Sequence, residues 1–310
     1  MARLASISVD LDSLPHYCRI HGLPESLLDD RARSLVLGVA VSRFRELLSD
    51  LSLPATLFVI GEDLADEGAR AVVRSAHQGG LEIGNHSFSH DYALTRRARD
   101  DIASDVLRGE EAIAKLVGES PLGFRAPGYT LTPDLFGILC ERGYLYDSSV
   151  FPAAPYYAAK ALVMGGMALL GKPSRSILDS PKVISAPRLP YRPDVAEPYR
   201  EGNGLTLELP IATAPFSRLP FIGTFAVLMP RPVVQATYLA MRATMDFFNF
   251  ELHGIDLLDQ HDGVPAELVR RQPDLRVPVA QKRARLREVF SRLKDDYKVV
   301  TLAEAARRQA

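Results

Sequence analysis

Two periods alternate along the chain. Residues 6–12 read S-I-S-V-D-L-D, with Ile7, Val9 and Leu11 on one face of a strand and polar residues on the other. Residues 29–51 place Leu35, Val39, Phe44, Leu47 and Leu48 at helical spacing, and residues 54–61 read as a buried strand. A second helix is predicted over 62–78, stopped by Gly79-Gly80, and the G-L-E-I of 80–83 reads as a short strand. Further on come a charged-faced helix at 95–117, a strand at 121–125, a helix at 132–142 and a strand end at 144–148. Such alternation predicts an α/β fold with a parallel sheet closed into a barrel, its polar residues collecting at the C-terminal ends of the strands.

The rhythm breaks over 151–230. Residues 153–171 are apolar with Lys160 the only charge, and Lys172 and Arg175 follow directly. A Pro-rich loop covers 187–197, residues 203–211 read as a strand, and 217–229 form a second apolar run with Arg218 at its edge. Two readings stand for these runs. They complete the barrel wall or a homo-oligomer interface, or they form a greasy surface that meets lipid while the basic residues meet anionic headgroups. The pattern resumes at Phe250-Glu-Leu, a strand leading to His253.

Composition narrows the classes. With 310 residues and 47% hydrophobic content the chain is long enough for one barrel, expected to span 1–310 with the apolar insertion at about 151–230. A formal net charge of -1 gives no electrostatic draw toward nucleic acid. Cys18 and Cys140 share no metal or redox spacing, so a reducing compartment is expected. The residues before the first strand do not read as a signal peptide, and no run of 18 uncharged apolar residues exists. A cytoplasmic protein is therefore expected, peripheral at the inner membrane face on the lipid reading.

The candidate chemistry lies in two places. His86 and His90 in G-N-H-S-F-S-H-D stand four residues apart, a spacing that puts both imidazoles on one face of a helical turn. Imidazole suits zinc and its neighbours, which need a third protein ligand and an open position for catalysis. Asp10 and Asp12 share a face at the end of the first strand, where two like charges repel unless a cation accompanies them. His77 reads as a helix-surface residue, while His16 and His261 remain open.

Asp10 and Asp12, then His86 and His90, then Arg125-Ala-Pro-Gly-Tyr129, then Tyr146-Asp147-Ser-Ser, then Leu252-His-Gly-Ile-Asp256 stand in the order found in the polysaccharide deacetylases. The chain resembles that family, carbohydrate esterase family 4, from Ile7 to about His261, and most closely its peptidoglycan deacetylase-like and allantoinase-like branch. The resemblance implies a distorted (β/α) barrel of the polysaccharide deacetylase type. It implies a divalent metal, first of all Zn2+, on Asp12, His86 and His90, with Asp10 as general base. Arg125 would orient Asp10, with Asp147 as its partner. His253 would be the general acid, its ring held by Asp256, and Tyr129 would shape the groove or offer its backbone N–H to an oxyanion.

Two departures bear on the substrate. Ala126 stands where the family commonly has proline, with Gly128 adding space before Tyr129, and tryptophan is absent. Few aromatic platforms point to a small or lipid-linked substrate rather than a long polymer. The expected activity is removal of an acetyl or formyl group from the nitrogen of an amino sugar. The alternatives are hydrolysis of a cyclic amide or ureide, and a catalytically silent carbohydrate- or lipid-binding barrel.

Overall fold

The computed structural model describes residues 3–169 and 180–309. Among them eight strands form one sheet: β1 (Leu4–Asp10), β2 (Thr56–Val59), β3 (Glu82–Asn85), β4 (Gly123–Phe124), β5 (Tyr146–Asp147), β6 (Leu207–Glu208), β7 (Phe247–His253) and β8 (Lys298–Val299). Every pairing is parallel, in the order β6-β5-β4-β3-β2-β1-β7, with β8 beside the first residues of β1. The sheet curls into an incomplete barrel. Its outer strands β6 and β7 meet without a ladder: the N–H of Ala212 donates to the carbonyl of Asn249 at 3.0 Å, and Asn249 Nδ2 donates to the Leu209 carbonyl at 3.1 Å.

Helices cover the outside, as the predicted periods require. Asp66 caps the helix Glu67–Gln78 by accepting from the Ala69 N–H, and Thr132 caps Pro133–Glu141, whose proline fits a first-turn position. The predicted helix over 29–51 divides into Asp30–Arg33, a wider π-helical segment Leu35–Ala40, and Val41–Leu51. The strands after β3 are shorter than expected, two residues each up to β6, because the chain turns off the sheet once its polar side chains reach the rim.

β1 is buried on both faces. Ile7 and Val9 pack outward in the main apolar cluster, while Ser6, Ser8 and Asp10 point inward and are equally sealed from solvent. The barrel axis is therefore polar: Ser8 Oγ donates to Asn249 Oδ1 at 3.1 Å, and Asn249 Nδ2 donates to Ser148 Oγ at 2.9 Å. Buried polar groups of this kind are tolerated because they are paired.

Within the apolar insertion, Ala154–Leu169 is a helix that turns Tyr157 inward and leaves Leu162 78% exposed. Lys172 and Arg175 lie outside the described residues, so the expected basic edge there has no structural account. Arg218 sits in a left-handed turn and donates to the Ala186 carbonyl at 3.0 Å. The second apolar run folds as the short helix Gly223–Leu228, packed on β7 and on the helix Val279–Asp296. No helix among the described residues is long and apolar enough to cross a membrane.

Candidate active site

The strand register brings the site together. Asp10 and His253 are partners across β1 and β7, at the same rim of the sheet. Asp12 follows two residues beyond β1, and β3 ends at Asn85, one residue before His86. The two histidines converge, though not through the helical turn that their spacing suggested. Residues 86–90 form an irregular turn with Ser87 at φ 64° and His90 at φ 49°. Ser87 Oγ accepts from the His90 N–H at 3.0 Å, and Asp105 Oδ1, on the helix Arg99–Val117, accepts from Phe88 N at 2.9 Å. Those bonds hold a conformation that a non-glycine residue adopts only at a cost of about 1–3 kcal/mol.

Asp12 Oδ1 stands 3.3 Å from His86 Nε2 and 3.2 Å from His90 Nε2, all three side chains buried. Asp12 Oδ1 and both ring nitrogens of His90 are buried without a hydrogen-bond partner. His86 Nδ1 lies 2.7 Å from the Arg125 carbonyl, so it carries the proton and leaves the Nε2 lone pair facing Asp12. Orphaned nitrogen and oxygen donors within 4.8 Å of one another fit a divalent cation of the zinc type. Burial opposes charge on Asp12, but His90 and His86 more than offset it and hold its carboxyl well below the usual range. Burial takes His90 down to about 4, which keeps that imidazole neutral and leaves one ring nitrogen with a free lone pair. His86 moves up instead, since Asp10 as well as Asp12 faces it and together they outweigh burial.

A second group adjoins the first. Arg125, the largest fully buried side chain, gives Nη1 to Asp10 Oδ1 at 2.6 Å, Nη2 to Ser8 Oγ at 3.0 Å and Ser148 Oγ at 2.8 Å, and Nε to the Ser148 carbonyl at 2.9 Å. Its guanidinium also lies 4.2 Å from the Phe58 ring centroid. All three of its nitrogens are thus engaged, and Asp10 is held in one orientation. Asp147 does not share that task. It accepts from Ser149 Oγ at 2.6 Å and stands beside Glu208, its register partner on β6. Burial pushes Asp147 up to about 6; burial and the neighbouring Asp147 push Glu208 well above the carboxylate range.

His253 differs from expectation in its partner. Its Nδ1 faces Glu251 Oε1 at 2.9 Å, whereas Asp256 Oδ2 accepts from the His253 backbone N–H at 2.9 Å. Glu251 is thus the carboxylate that orients the imidazole, and Asp256 fixes the loop that carries it. Burial opposes a proton on His253, and Glu251 overrides it, so the pKa lies well above the usual value. The signal for Glu251 was present in the sequence: it precedes His253 by two, which on a strand means the same face. An apolar reading of Phe250-Glu-Leu passed over it.

Gly128 and Tyr129 take successive left-handed conformations. A Cβ on Gly128 would lie 2.6 Å from the Tyr92 ring, so the added space at this position seats Tyr92. The Tyr129 N–H is spent on the Ala126 carbonyl at 3.1 Å, and it is the hydroxyl that reaches the site, 3.2 Å from both Glu251 Oε1 and His253 Nε2. His16 is buried with its ring centroid 4.7 Å from that of His90, edge to face, and supports it. His77 lies on a helix 3.8 Å from Glu119, and His261 beside Gln260 at the surface, both away from the cluster. A cavity of about 310 Å³ opens over Asp10, Asp12, His86 and His253.

Residues 36–146 match the family model of polysaccharide deacetylases. The match takes in His86, His90 and Arg125, while Asp10, Asp12 and His253 fall outside it. A peptidoglycan deacetylase of Helicobacter pylori is 30% identical over 161 residues, 50% of this chain and 52% of the relative. A peptidoglycan-N-acetylglucosamine deacetylase of Bacillus cereus is 33% identical over 99 residues, 32% of this chain and 45% of the relative. The chain thus spans about half the length of the curated relatives it matches. Among solved structures, a Mycobacterium smegmatis chain assigned as a polysaccharide deacetylase aligns over 99% of this chain and 91% of its own, with TM-score 0.65 and 19% identity. A carbohydrate esterase family 4 pseudoenzyme of Bacillus anthracis aligns over 98% and 66%, with TM-score 0.51 and 11% identity. Those two share the fold, a curled barrel of parallel strands. The family model and the curated relatives thus agree on one description for the part of the chain that they match, which is similar to the polysaccharide deacetylases.

Proposed function

We propose that the chain is a metal-dependent hydrolase that removes an N-acyl group, acetyl or formyl, from an amino sugar. One observation carries this reading. A carboxylate locked by an arginine and an imidazole locked by a carboxylate stand in register on adjacent strands, beside a buried Asp/His/His cluster. Asp12, His86 and His90 would hold a divalent ion, which supplies Lewis-acid polarisation of an amide carbonyl and acidifies water.

The remaining groups divide the proton work. Asp10, held by Arg125, accepts a proton from the attacking water as its oxygen bonds to the acyl carbon. His253, kept protonated by Glu251, delivers a proton to the amine nitrogen as the C–N bond breaks. Balance requires one water consumed, with one carboxylic acid and one amine released. The Tyr129 hydroxyl bridges Glu251 and His253 and fixes the ring against rotation.

Acetate and formate release from a panel of N-acyl amino sugars tests the reading, with the protein first stripped by chelator and then reloaded with zinc. Turnover is expected to vanish on stripping and return on reloading. Asp10→Asn should keep the metal and lose a factor of roughly 10²–10⁴ in kcat. His86→Ala should lose both metal and turnover. A His86→Ala protein that retains stoichiometric zinc at this site sinks the assignment. Ring-opened product from a cyclic amide, without acetate or formate from any sugar, would select the other chemistry.

A further inference from the structure

The lining of the cavity over the cluster is of two kinds. Asp10, Asp12, His86 and His253 line it together with Tyr92, Tyr129 and Tyr156. The rest of the lining includes an apolar wall of Pro220, Ile222, Phe225, Leu228 and Met229. Leu228 and Met229 keep 37% and 36% of their surface exposed, so the wall is open to the mouth. Among the described residues the lining contains no lysine or arginine, while it contains Asp10 and Asp12.

Where this wall stands decides which part of a substrate it meets. Its helix Gly223–Leu228 starts against the His253 loop: a Cβ on Gly223 would lie 2.0 Å from Asp256 Oδ2, and Thr224 Oγ1 is 3.4 Å from Asp256 Oδ1. Asp256 in turn holds the His253 N–H. The wall is thus anchored on the side of the proton donor, and so of the departing amine. We infer that the enzyme selects amino sugars whose amine-bearing part carries an uncharged apolar substituent, and discriminates against those that carry phosphate there. The inference rests on the amide hydrolysis proposed above. A phosphate held against that wall would meet apolar side chains and find no lysine or arginine among the described lining residues to pair with. An alkyl group would bury against the wall, each methylene worth roughly a factor of four in binding when fully buried.

Three substrates separate the outcomes: N-acetylglucosamine, its n-butyl β-glycoside, and its 1-phosphate. With the zinc-loaded full chain, kcat/KM for the butyl glycoside should exceed that for the free sugar by about tenfold or more, mainly through KM. The 1-phosphate should fall below the free sugar. In Leu228→Ser with Met229→Ser, the ratio of butyl glycoside to free sugar should collapse toward one. Leu228→Arg should raise the 1-phosphate relative to the free sugar. A butyl glycoside no better than the free sugar, a ratio unmoved by the double substitution, or a preferred 1-phosphate overturns the inference. Calorimetric binding of the same three compounds is read in parallel. Absence of acetate from all three then counts against the reaction, while butyl glycoside binding that is no tighter than that of the sugar counts against the apolar wall.

Discussion

Glu251 and His253 behave as one unit, and that has a consequence for pH. In the mechanism proposed above the imidazole must carry a proton to release an amine, so activity should be lost as pH rises through its pKa. Glu251 holds that pKa well above the usual histidine value against the effect of burial. Glu251→Gln keeps an acceptor for Nδ1–H and removes the charge, so the alkaline limb of the kcat/KM profile should move to lower pH with the acid limb in place. An alkaline limb that stays where it was would assign it to another group. The raised pKa also has a stability side. The pair stabilises the folded state fully below the unfolded value and loses that contribution as pH rises through the folded one. The residues legible beforehand were those whose chemistry demands a partner: two carboxylates on one strand face, two imidazoles four apart. Ser8, Ser148 and Asn249 were not, since each reads as an ordinary strand residue until its opposite number is known.

The element that carries His86 and His90 shows how spacing can give the right answer through the wrong geometry. A helical turn would have brought the rings together, and a left-handed turn does so instead, with φ 64° at Ser87 and 49° at His90. Turn handedness is not written in residue spacing, so only the convergence could be anticipated. The turn rests on the helix Arg99–Val117 at Gly109, where a Cβ would lie 2.4 Å from Asn85 Oδ1, 3.0 Å from the Ser87 carbonyl carbon and 3.1 Å from Phe88 N. Replacing a mid-helix glycine with alanine ordinarily gains about 0.5–1 kcal/mol. Here the sign should reverse. Gly109→Ala pushes against the buried Asn85 side chain, itself hydrogen-bonded to the Val106 carbonyl and the Tyr144 hydroxyl, and against the backbone of Ser87 and Phe88, so the turn must lift. A lower Tm and zinc affinity at least about tenfold weaker, by chelator competition, are expected. A variant with raised Tm and parental zinc affinity would show that the helix is not the turn's seat.

At the scale of the molecule the parallel barrel was legible because strand and helix periods alternate, and its closure was not. The gap between β6 and β7 depends on Asn249, which accepts from Ser8 and donates to Ser148 and Leu209. Asn249→Ala removes three buried hydrogen bonds, roughly 0.5–1.5 kcal/mol each, although Ser8 and Ser148 keep their bonds to Arg125 and the Leu209 carbonyl keeps its bond to Ser148. A drop of at least about 2 kcal/mol in unfolding free energy by urea titration is expected. A loss under half of that would mean that closure depends on other contacts. The same bond spans 241 residues, and β1 takes its full-length partner from β7. A ribosome adding 5–20 residues per second therefore makes β1 wait roughly ten to fifty seconds for the strand that completes it. Asp12, His86 and His90 all emerge early, whereas His253 arrives with the closing strand. During synthesis the cation-binding half of the site exists as residues well before the proton-donating half, beside a strand edge still open to the wrong neighbour. On the proposed assignment, zinc supplied to a nascent chain would meet Asp12, His86 and His90 before His253 had been made.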